Sequence, residues 1–421
     1  MNNIRLILAT LAIALTPFVM KAQSVSPYSM YGYGIIGDHA TSMQRQMGGV
    51  GYAMNSGRQI NVMNPASYAS IDSITFLFDL GADVAFIHRT EGNKKENTTG
   101  GGVSYLTMQF PITKYMGASL GLLPYSSVGY AFGDEIKHGA MSNQGEGGIN
   151  QLYLGLSGKV KGFSLGFNVS YDFGNIINDV FTTPDQGGQS KTEHVMQVRD
   201  WNITIGAQYT ARWNHWNKLT VGVTYSPKKS MLGKTWVTNQ LTSESLPDTV
   251  SYANMKNRYY QPNTVGFGIN YTYERTYRVM VEADLTWQQW SKAKYSALYS
   301  NNPKTPNEVV FQGMNFNDRT RIALGAEYIP KLRGNYGQRI TYRLGTYFGQ
   351  DYLNIQGNKI HETGVTCGFG LPVLEGKTLI NLGFEWKHRK ASPQKLITEN
   401  YFNITLGVNF NESWFWQRKI R

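Results

Sequence analysis

Apolar and polar residues alternate along most of this chain of 421 residues, and this alternation restricts its fold more than any other feature. In the run from Phe402 to Phe410, every second residue is apolar, and the residues between are asparagine, threonine or glycine. The same pattern recurs at residues 163–173, 279–287 and 380–386. Because successive side chains of a strand point to opposite faces, each segment has one apolar and one polar face. Turn-separated segments of this kind are typical of a transmembrane β-barrel, although a soluble β-sandwich also alternates.

The first residues of the chain distinguish these two fold classes. Residues 1–22 have the pattern of a secretory signal, with Arg5, an apolar stretch over Leu6–Val19, and Ala22 before the expected cleavage. The apolar stretch is shorter than the roughly twenty residues of a membrane-spanning helix. An exported chain without a spanning helix is periplasmic, secreted or a barrel, and only helices and closed barrels satisfy their backbone groups in lipid. The alternation therefore predicts a multi-pass barrel in the outer membrane of a Gram-negative cell.

Composition agrees with an exported barrel and argues against nucleic-acid binding. The formal net charge is +12, with 40 Lys and Arg against 28 Asp and Glu, but these charges are spread over loops and ends. A nucleic-acid-binding surface would require them to be clustered. The spread charge suits either the phosphates of outer-membrane lipid and lipopolysaccharide or simple solvation of loops. The 27 Tyr, 19 Phe and 9 Trp suit the two aromatic girdles of a barrel, and the single cysteine, Cys367, excludes an internal disulfide.

The chain divides into four predicted parts: a signal peptide at 1–22, an N-terminal hatch or plug at 23–73, a β-barrel at 74–411, and an aromatic and basic tail at 412–421. The hatch region is rich in Gly, Ser, Met and Asn, and it lacks long alternation, so short helices and loops are expected there. Fourteen strand candidates follow, an even number as in single-chain bacterial barrels. They lie near 74–89, 101–111, 116–132, 148–159, 162–174, 195–211, 217–228, 258–275, 276–291, 311–329, 338–348, 362–372, 377–388 and 400–411.

Short and long connections alternate between these strands, which predicts short periplasmic turns and long extracellular loops. The long connections are predicted at 90–100, 133–147, 175–194, 229–257, 292–310, 349–361 and 389–399. Charged residues on the strands must face the lumen, because a charge in mid-bilayer costs a few kcal/mol. These inward-facing residues are Glu282, Asp284, Arg343, Glu385 and Lys387.

Several motifs, in this order, carry a resemblance to one known family. They are Met47–Ala53, Asn64–Ser67, Leu120–Tyr125, Leu219–Pro227, Asp284–Ser291 and Phe316–Tyr328. Together they resemble the FadL-type family of outer-membrane transporters for long-chain fatty acids and other hydrophobic compounds. The resemblance covers residues 42–410. It departs after Tyr347, where the family's usual turn and loop motifs are replaced by Gly349–Asn354 and Lys359–Glu362.

This resemblance implies an all-β fold: an outer-membrane barrel of about fourteen antiparallel strands, its lumen plugged by a small N-terminal hatch with short helices. The hatch residues that it implies are Gly48, Gly49, Asn64, Pro65 and Ala66. It also implies capture of a hydrophobic ligand among the extracellular loops, movement of the hatch, and release through an opening in the wall at a kinked third strand.

That lateral opening is assigned to Pro124 and Tyr125 in the third predicted strand. A proline cannot donate to the β-ladder, so within a barrel strand it forces a gap or a bulge. The alternative interpretation is a strand end or bulge with no role in transport. Apolar residues of the predicted loops are the candidates for capturing a ligand, because exposed apolar groups invite one. These candidates are Ile177, Phe181, Leu232 and Trp236.

A second function stays open: a non-transporting barrel of the same fold that acts as a partner in an outer-membrane protein secretion or assembly machine. The aromatic and basic residues 414–421 favour it, because such a tail suits docking to a periplasmic partner.

No enzymatic activity, cofactor or metal is predicted. The run Gly32–Gly37 has the spacing of a dinucleotide-binding motif, but it neither follows a strand nor opens a helix. The seven histidines are not spaced as metal ligands, and no Ser–His pair stands out as a nucleophile and its base.

Overall fold

The computed structural model describes residues 26–136, 138–185, 188–241, 249–299, 310–373 and 378–413. Fourteen long antiparallel strands form one closed barrel, in which the first of them, Thr75–Glu91, pairs with the last, Thr398–Ser413, and completes the ring. The all-β fold class, with fourteen strands around a small N-terminal hatch, is therefore confirmed. The barrel strands are β2 (Thr75–Glu91), β3 (Lys94–Thr113), β4 (Met116–Ile136), β5 (Gly139–Val160), β6 (Phe163–Pro184), β7 (Ser190–Arg212), β8 (Asn217–Ser226), β13 (Thr264–Glu274), β14 (Arg278–Gln288), β17 (Arg319–Ile329), β18 (Thr341–Ile355), β19 (Asn358–Val373), β20 (Thr378–Ser392) and β21 (Thr398–Ser413).

Seven shorter strands complete the sheets. The short strands are β1 (Ile35–Ile36), β9 (Lys229–Ser230), β10 (Gly233–Leu241), β11 (Thr249–Asn254), β12 (Tyr260–Gln261), β15 (Ser296–Tyr299) and β16 (Val310–Gly313). Residues 190–198 of β7 pair with β10, whereas residues 205–212 of β7 pair with β8. Strand β11 pairs with β10. The hatch strand β1 pairs with β4. The remaining four strands form two small sheets of two strands each, β9 with β12 and β15 with β16.

The wall is much taller on one side than on the other. Strands β4 to β7 contain 21 to 23 residues each, whereas β8, β13, β14 and β17 contain 10 or 11. A tilted strand needs only about nine to eleven residues to cross a bilayer. The long loops predicted at 90–100, 133–147, 175–194 and 349–361 are therefore wrong in large part, because most of their residues continue the barrel strands.

The predicted loop at 229–257 is also partly wrong, since it contains β9, β10 and β11. Alternation alone did not reveal these extensions, because above the membrane both faces of a strand meet water and the apolar–polar pattern fades. The short turns lie at the opposite end, with hairpins at residues 113–116, 160–163 and 274–278.

The outward face of the barrel is apolar and carries two aromatic belts. Exposed rings near the short-turn end include Tyr115, Phe163, Tyr209, Trp213, Trp216 and Tyr277. A second set of exposed rings lies nearer the tall end, and it includes Trp201, Trp287, Phe348, Trp386 and Phe402. Between the belts the outward side chains are aliphatic or phenylalanine, such as Leu154, Leu165 and Phe167. This surface is the one expected of a transmembrane barrel.

The hatch, residues 26–73, lies inside the barrel. It is built from short elements: 3₁₀ turns at Pro27–Met30 and Pro65–Ser70, strand β1, and one helical turn at Ser42–Arg45. The helical turn begins with a capping box between Thr41 and Gln44. Polar hatch residues are buried together with the apolar ones, and their hydrogen-bond partners come both from the hatch, as in the Gln44–Asn61 contact, and from the barrel wall.

The signal peptide predicted at 1–22 lies outside the described residues, as does the tail from 414 onward. None of the helices in the described ranges has the length and hydrophobicity that a membrane-spanning helix requires.

Candidate functional site

The hatch is fastened to the wall by carboxylates from the barrel strands. Asp284 Oδ2 accepts hydrogen bonds from the backbone N–H groups of Gly51 (2.6 Å) and Tyr52 (3.0 Å). Glu282 Oε1 accepts from the N–H of Ala53 at 2.9 Å. These contacts agree with the prediction that the charged faces of the strands point into the lumen. The carboxylates satisfy donors of the hatch that have no other partner within the hatch.

Two strands further round the barrel, Arg343 of β18 forms another link between wall and hatch. Its guanidinium donates to Gln46 Oε1 at 2.9 Å and to Asn381 Oδ1 at 2.7 Å, and it pairs with Glu327 at 2.9 Å. Arg343 and Glu327 are fully buried. This buried pair holds the guanidinium where it donates to Gln46 of the hatch, and removing either partner would leave the other charge unpaired.

The predicted hatch residues lie at tight turns and caps. Gly48 and Gly49 have φ values of +73° and +76°, a backbone conformation that favours glycine. The N–H of Gly48 also donates to Thr366 Oγ1 at 2.8 Å. Asn64 caps the 3₁₀ turn that begins at Pro65, since its Oδ1 accepts from the N–H of Ala66 at 3.0 Å. Their role as a movable hatch remains a prediction.

Glycines of the barrel wall let the hatch backbone approach closely. A Cβ atom at Gly345 would lie 2.1 Å from the carbonyl carbon of Met47, and one at Gly222 would lie 1.9 Å from the carbonyl oxygen of Tyr52. Such glycines occur in cross-strand pairs around the barrel, and we call them the glycine ring. Its members are the pairs Gly166–Gly206, Gly222–Gly268, Gly325–Gly345 and Gly368–Gly383, together with Gly407 of β21.

The sequence contains a signal for the glycine ring that is separate from the alternation of apolar and polar residues. Many barrel strands contain a glycine between two larger residues on the lumenal face. Examples are Leu165-Gly166-Phe167, Val221-Gly222-Val223, Leu344-Gly345-Thr346 and Leu406-Gly407-Val408. A recurring glycine on the polar face of a strand indicates close approach of another backbone.

The barrel wall is interrupted between β3 and β4. The ladder between these strands ends at the pair Leu106–Leu122. Above it, residues 94–105 of β3 pair with β2 alone among the described strands, and β4 pairs with β5 and, at 126–127, with β1 of the hatch. We call this interruption the wall gap. The edge of β3 that faces it has backbone groups without a ladder partner.

Pro124 and Tyr125 lie at the lower end of the wall gap. The pairing of β4 with β5 contains an irregularity between Pro124 and Ser126, so Tyr125 is skipped in the register. Tyr125 is buried against the hatch, and its carbonyl accepts from the N–H of Gly37 at 2.9 Å. The chain thus departs from regular strand geometry where the proline was expected to disturb it. Whether a ligand leaves there remains a prediction.

A cavity of about 270 Å³ lies inside the barrel directly behind the wall gap, and we call it the lumenal cavity. Its walls include Gly101 and Gly102 of β3, Pro124 and Ser127 of β4, and Ile36 of the hatch. It is strongly charged as well. The charged residues that line it are Asp38, Arg45, Asp83, Arg319, Arg321, Glu362, Glu385, Lys387 and Arg389.

Ion pairs between hatch and wall order part of this cavity. Asp38 of the hatch pairs with Arg321 of β17 at 3.3 Å and with Arg45 at 3.9 Å, and Arg45 pairs with Asp83 of β2 at 3.3 Å. Burial acts to raise the pKa of Asp38, but the charges of Arg45 and Arg321 outweigh it and hold this pKa below its usual value. Asp38 is therefore ionised at neutral pH.

Histidine 39 follows Asp38 and lines a second cavity, of about 120 Å³, on the side of the hatch that faces β13 and β14. Removal from water lowers the pKa of His39, and the nearby Arg319 acts in the same direction. Asp38 opposes them. The imidazole is therefore neutral at pH 7.

The outer end of the lumen is filled by aromatic side chains. Tyr33 of the hatch packs among Trp290, Tyr295, Phe316 and Tyr352, and we call these five residues the mouth cluster. Ring centroids lie 4.6 Å apart for Trp290–Tyr352 and 5.0 Å apart for Tyr33–Tyr295. Each of the five is at most 6% exposed. The mouth is thus occupied by the chain's own residues.

Hydrogen bonds from tyrosine hydroxyls fix the hatch in the mouth cluster. The Tyr352 hydroxyl donates to the carbonyl of Gly34 at 2.7 Å and accepts from the N–H of Tyr33 at 3.0 Å. The Tyr295 hydroxyl donates to the carbonyl of Gly32 at 2.9 Å. The Gly32–Gly37 run, which has the spacing of a dinucleotide motif, therefore passes through the aromatic packing of the mouth.

The four candidate ligand residues of the loops do not converge on one pocket. Ile177 and Phe181 lie on β6, where the Phe181 ring lies 5.7 Å from Lys191 Nζ. Leu232 is exposed just before β10, and Trp236 on β10 packs beside Tyr252, with their rings 6.1 Å apart. None of the four belongs to the mouth cluster or lines the lumenal cavity. Their role in binding a ligand stays a prediction.

Among the described residues, no group of three or more His, Cys, Asp or Glu side chains is arranged to hold a metal ion.

Comparison with known proteins gives a family and a fold. The family model described as BamG matches residues 3–421, almost the whole chain. No curated protein sequence matches significantly.

Solved structures share the fold at low sequence identity. The Pseudomonas putida toluene transporter TodX is 15% identical, with a TM-score of 0.59 over 90% of this chain and 99% of its own. The Ralstonia pickettii toluene transporter TbuX is 13% identical, with a TM-score of 0.58 over 88% and 97%. A Pseudomonas aeruginosa FadL homologue is 12% identical, with a TM-score of 0.60 over 90% and 99%. The chain thus has a FadL-type barrel fold.

Proposed function

The chain belongs to the BamG family, and from this premise we propose that it is an outer-membrane barrel that moves a hydrophobic small molecule through its wall gap. The observation that carries the proposal is the wall gap itself, with the lumenal cavity behind it. A gap in the wall lets an apolar molecule enter or leave lipid without crossing water. Barrels of the same fold include the toluene transporters TodX and TbuX, which supports a hydrophobic ligand.

The proposal keeps the Gram-negative outer membrane as the location and adds no cofactor or catalytic residue. It also keeps the four parts of the chain: the signal at 1–22, the hatch at 23–73, the barrel at 74–411 and the tail at 412–421. Long-chain fatty acids and monoaromatic hydrocarbons are the substrates to test first. Capture at the outer loops finds less support than the wall gap, because the described residues of the mouth cluster pack closely against one another at the outer end of the lumen.

Uptake by whole cells tests this function. Cells with and without the chain would receive labelled oleate or labelled toluene, and we expect faster uptake of one of them when the chain is present. Pro124→Ala is the matched variant, because it alters the lower end of the wall gap. Equal uptake by cells with and without the chain would contradict the proposal.

A second candidate function is a partner barrel in an outer-membrane protein secretion or assembly machine. The mouth cluster and the glycine ring favour it, because they hold the lumen closed at two levels. A closed lumen is no disadvantage to a protein whose work is done on its outer surface.

Mass spectrometry after purification in mild detergent distinguishes the two functions. A hydrophobic small molecule enriched with the protein, and lost in Pro124→Ala, would support transport. A protein that co-purifies in a fixed ratio, without such a molecule, would support the partner function.

A further inference from the structure

Two cations of the lumenal cavity lack an acidic partner. Arg45, Arg321 and Arg389 each pair with at least one carboxylate within 4.0 Å, whereas Arg319 and Lys387 have none among the described residues. Arg319 donates only to Gln288 Oε1 at 3.4 Å, and Lys387 Nζ lies 4.1 Å from the centre of the Tyr401 ring. The cavity is therefore able to accept a further anion.

The anionic side chains of the cavity are already satisfied. Asp38, Asp83 and Glu362 pair with arginines. Glu385 accepts from the Tyr347 hydroxyl at 2.5 Å and from Asn403 Nδ2 at 2.7 Å, both neutral donors. Five cations against four carboxylates line the cavity, which leaves one positive charge in excess. A partly buried charge in excess favours a bound counter-charge over a neutral occupant.

The wall gap supplies further hydrogen-bond donors. In an antiparallel pair, the backbone groups of an edge strand point alternately toward and away from the partner strand. Half of the N–H groups of β3 above Leu106 therefore face the gap, and Gly101 and Gly102, which have no side chains to cover them, line the cavity. Backbone N–H groups combined with cationic side chains are the usual recognition chemistry of phosphate.

The lower end of the gap is linked by cross-strand pairs and ring contacts to the aromatic belt nearer the tall end of the barrel, which we call the outer belt. Pro124 lies opposite Asn150, Asn150 lies opposite Phe173, and Phe173 packs on Tyr171, with their rings 5.9 Å apart. Tyr171 in turn packs against Trp201 of the outer belt, at 4.9 Å. Aromatic belts of barrels mark the head-group region of the bilayer. A lipid of the outer leaflet thus has its phosphate at the height of the cavity and its chains beside the gap.

We propose that the lumenal cavity binds the phosphate head group of an amphiphilic lipid, which enters through the wall gap while its acyl chain stays in the bilayer. Arg319 and Lys387 bind the phosphate, and the free edge of β3 donates to it. The inference rests on the proposed function for the route of entry, through the same gap. It differs from that function in requiring an anionic head group.

Calorimetry of the full chain in dodecyl maltoside tests this site, with dodecyl phosphate as the probe. We expect the double variant Arg319→Gln/Lys387→Gln to bind dodecyl phosphate at least about tenfold more weakly than the native chain. Lys114→Gln is the matched control, because Lys114 is an exposed cation in the turn before β4 and does not line the cavity. This variant should bind dodecyl phosphate as tightly as the native chain. The single variant Lys387→Gln replaces the double variant if the latter does not fold.

Inorganic phosphate separates the two sources of this chemistry. If the native chain binds dodecyl phosphate more tightly than it binds inorganic phosphate, the lipid is supported as the ligand. Equal affinity for free phosphate would overturn the lipid as the source. Absent binding by the native chain, or equal binding by the cavity variant and the native chain, would overturn the site. If the native chain binds dodecyl phosphate but cells that contain it show no added uptake, the site stands and only the proposed transport is rejected.

Discussion

At the scale of residues, a small set of lumenal side chains decides where the hatch lies. Asp284 and Glu282 satisfy consecutive N–H groups at Gly51, Tyr52 and Ala53. The glycine ring removes the side chains that would keep the hatch backbone away from the wall. The position of the hatch therefore depends on two kinds of wall residue: those that form hydrogen bonds with the hatch, and glycines that leave space for its backbone.

Gly345→Ala tests the glycine ring. The added Cβ would lie 2.1 Å from the carbonyl carbon of Met47 and 2.2 Å from the N of Gly48, both backbone atoms that cannot rotate away. We expect destabilisation of the hatch by roughly 1–3 kcal/mol, the usual cost of overpacking, and faster cleavage of the hatch in limited proteolysis. Gly337→Ala is the control, because its Cβ would meet no atom within 4 Å. Equal proteolysis of both variants would argue against close contact at the ring.

His39 gives the hatch a predicted pH dependence. Its pKa is lowered in the folded chain, so the unfolded chain binds more protons at mildly acidic pH. The neutral His39 therefore makes its full contribution to the free energy of unfolding above about pH 6.5. This contribution is lost as the pH falls below that value, by at most about 1.4 kcal/mol per pH unit. Melting temperatures of the native chain and of His39→Gln at pH 7.5 and 5.5 measure this. We expect the melting temperature of the variant to change less between the two pH values than that of the native chain. Identical changes in the two proteins would show that His39 does not cause the pH dependence.

At the scale of elements, the pairing of β3 with β4 is the exception in an otherwise continuous ladder. Among the described strands, each other neighbouring pair is joined along most of its shorter strand, whereas the ladder between β3 and β4 stops at Leu106–Leu122. The hatch strand β1 takes the place of β3 beside residues 126–127 of β4. An element of the hatch thus forms part of the wall, which couples any movement of the hatch to the width of the gap.

Pro124→Ala should close the irregularity at the lower end of the gap, because alanine restores a backbone donor and frees φ. We expect slower uptake of the hydrophobic substrate with unchanged folding. Pro111→Ala is the comparison, since Pro111 lies on β3 where the strand is paired with β4, opposite Gly117. Uptake that is equal in Pro124→Ala and Pro111→Ala would remove Pro124 from the mechanism.

At the scale of the whole molecule, the barrel is closed by its own N-terminal segment at two levels. The glycine ring surrounds the hatch, and the mouth cluster holds residues 32–34 at the outer end. The extended strands β4 to β7, together with β10 and β11, raise one side of the wall around this cluster. These two closures are why an open aqueous pore is not expected from the native chain.

Deletion of residues 26–71 should open the lumen, because it removes the hatch and the Tyr33 ring together. In planar bilayers we expect large, stable ion conductance from the deletion variant and none from the native chain. Heat-modifiable migration in gels would show whether the variant is folded. A folded variant without conductance would mean that residues of the strands and loops close the barrel without the hatch.

The sequence by itself determined the barrel, its strand number, the inward direction of Glu282 and Asp284, and an irregularity at Pro124. Alternation and turn residues act over a few neighbours, so a single strand already expresses them. Tertiary structure alone decided the height of the wall, the filled mouth and the charged cavity. Tyr33 and Tyr352 are 319 residues apart, and so are brought together only by closure of the ring. The glycine ring is an intermediate case. Glycines between two larger residues can be found in the sequence of the strands, but their role becomes clear only when the structure places the hatch backbone against them.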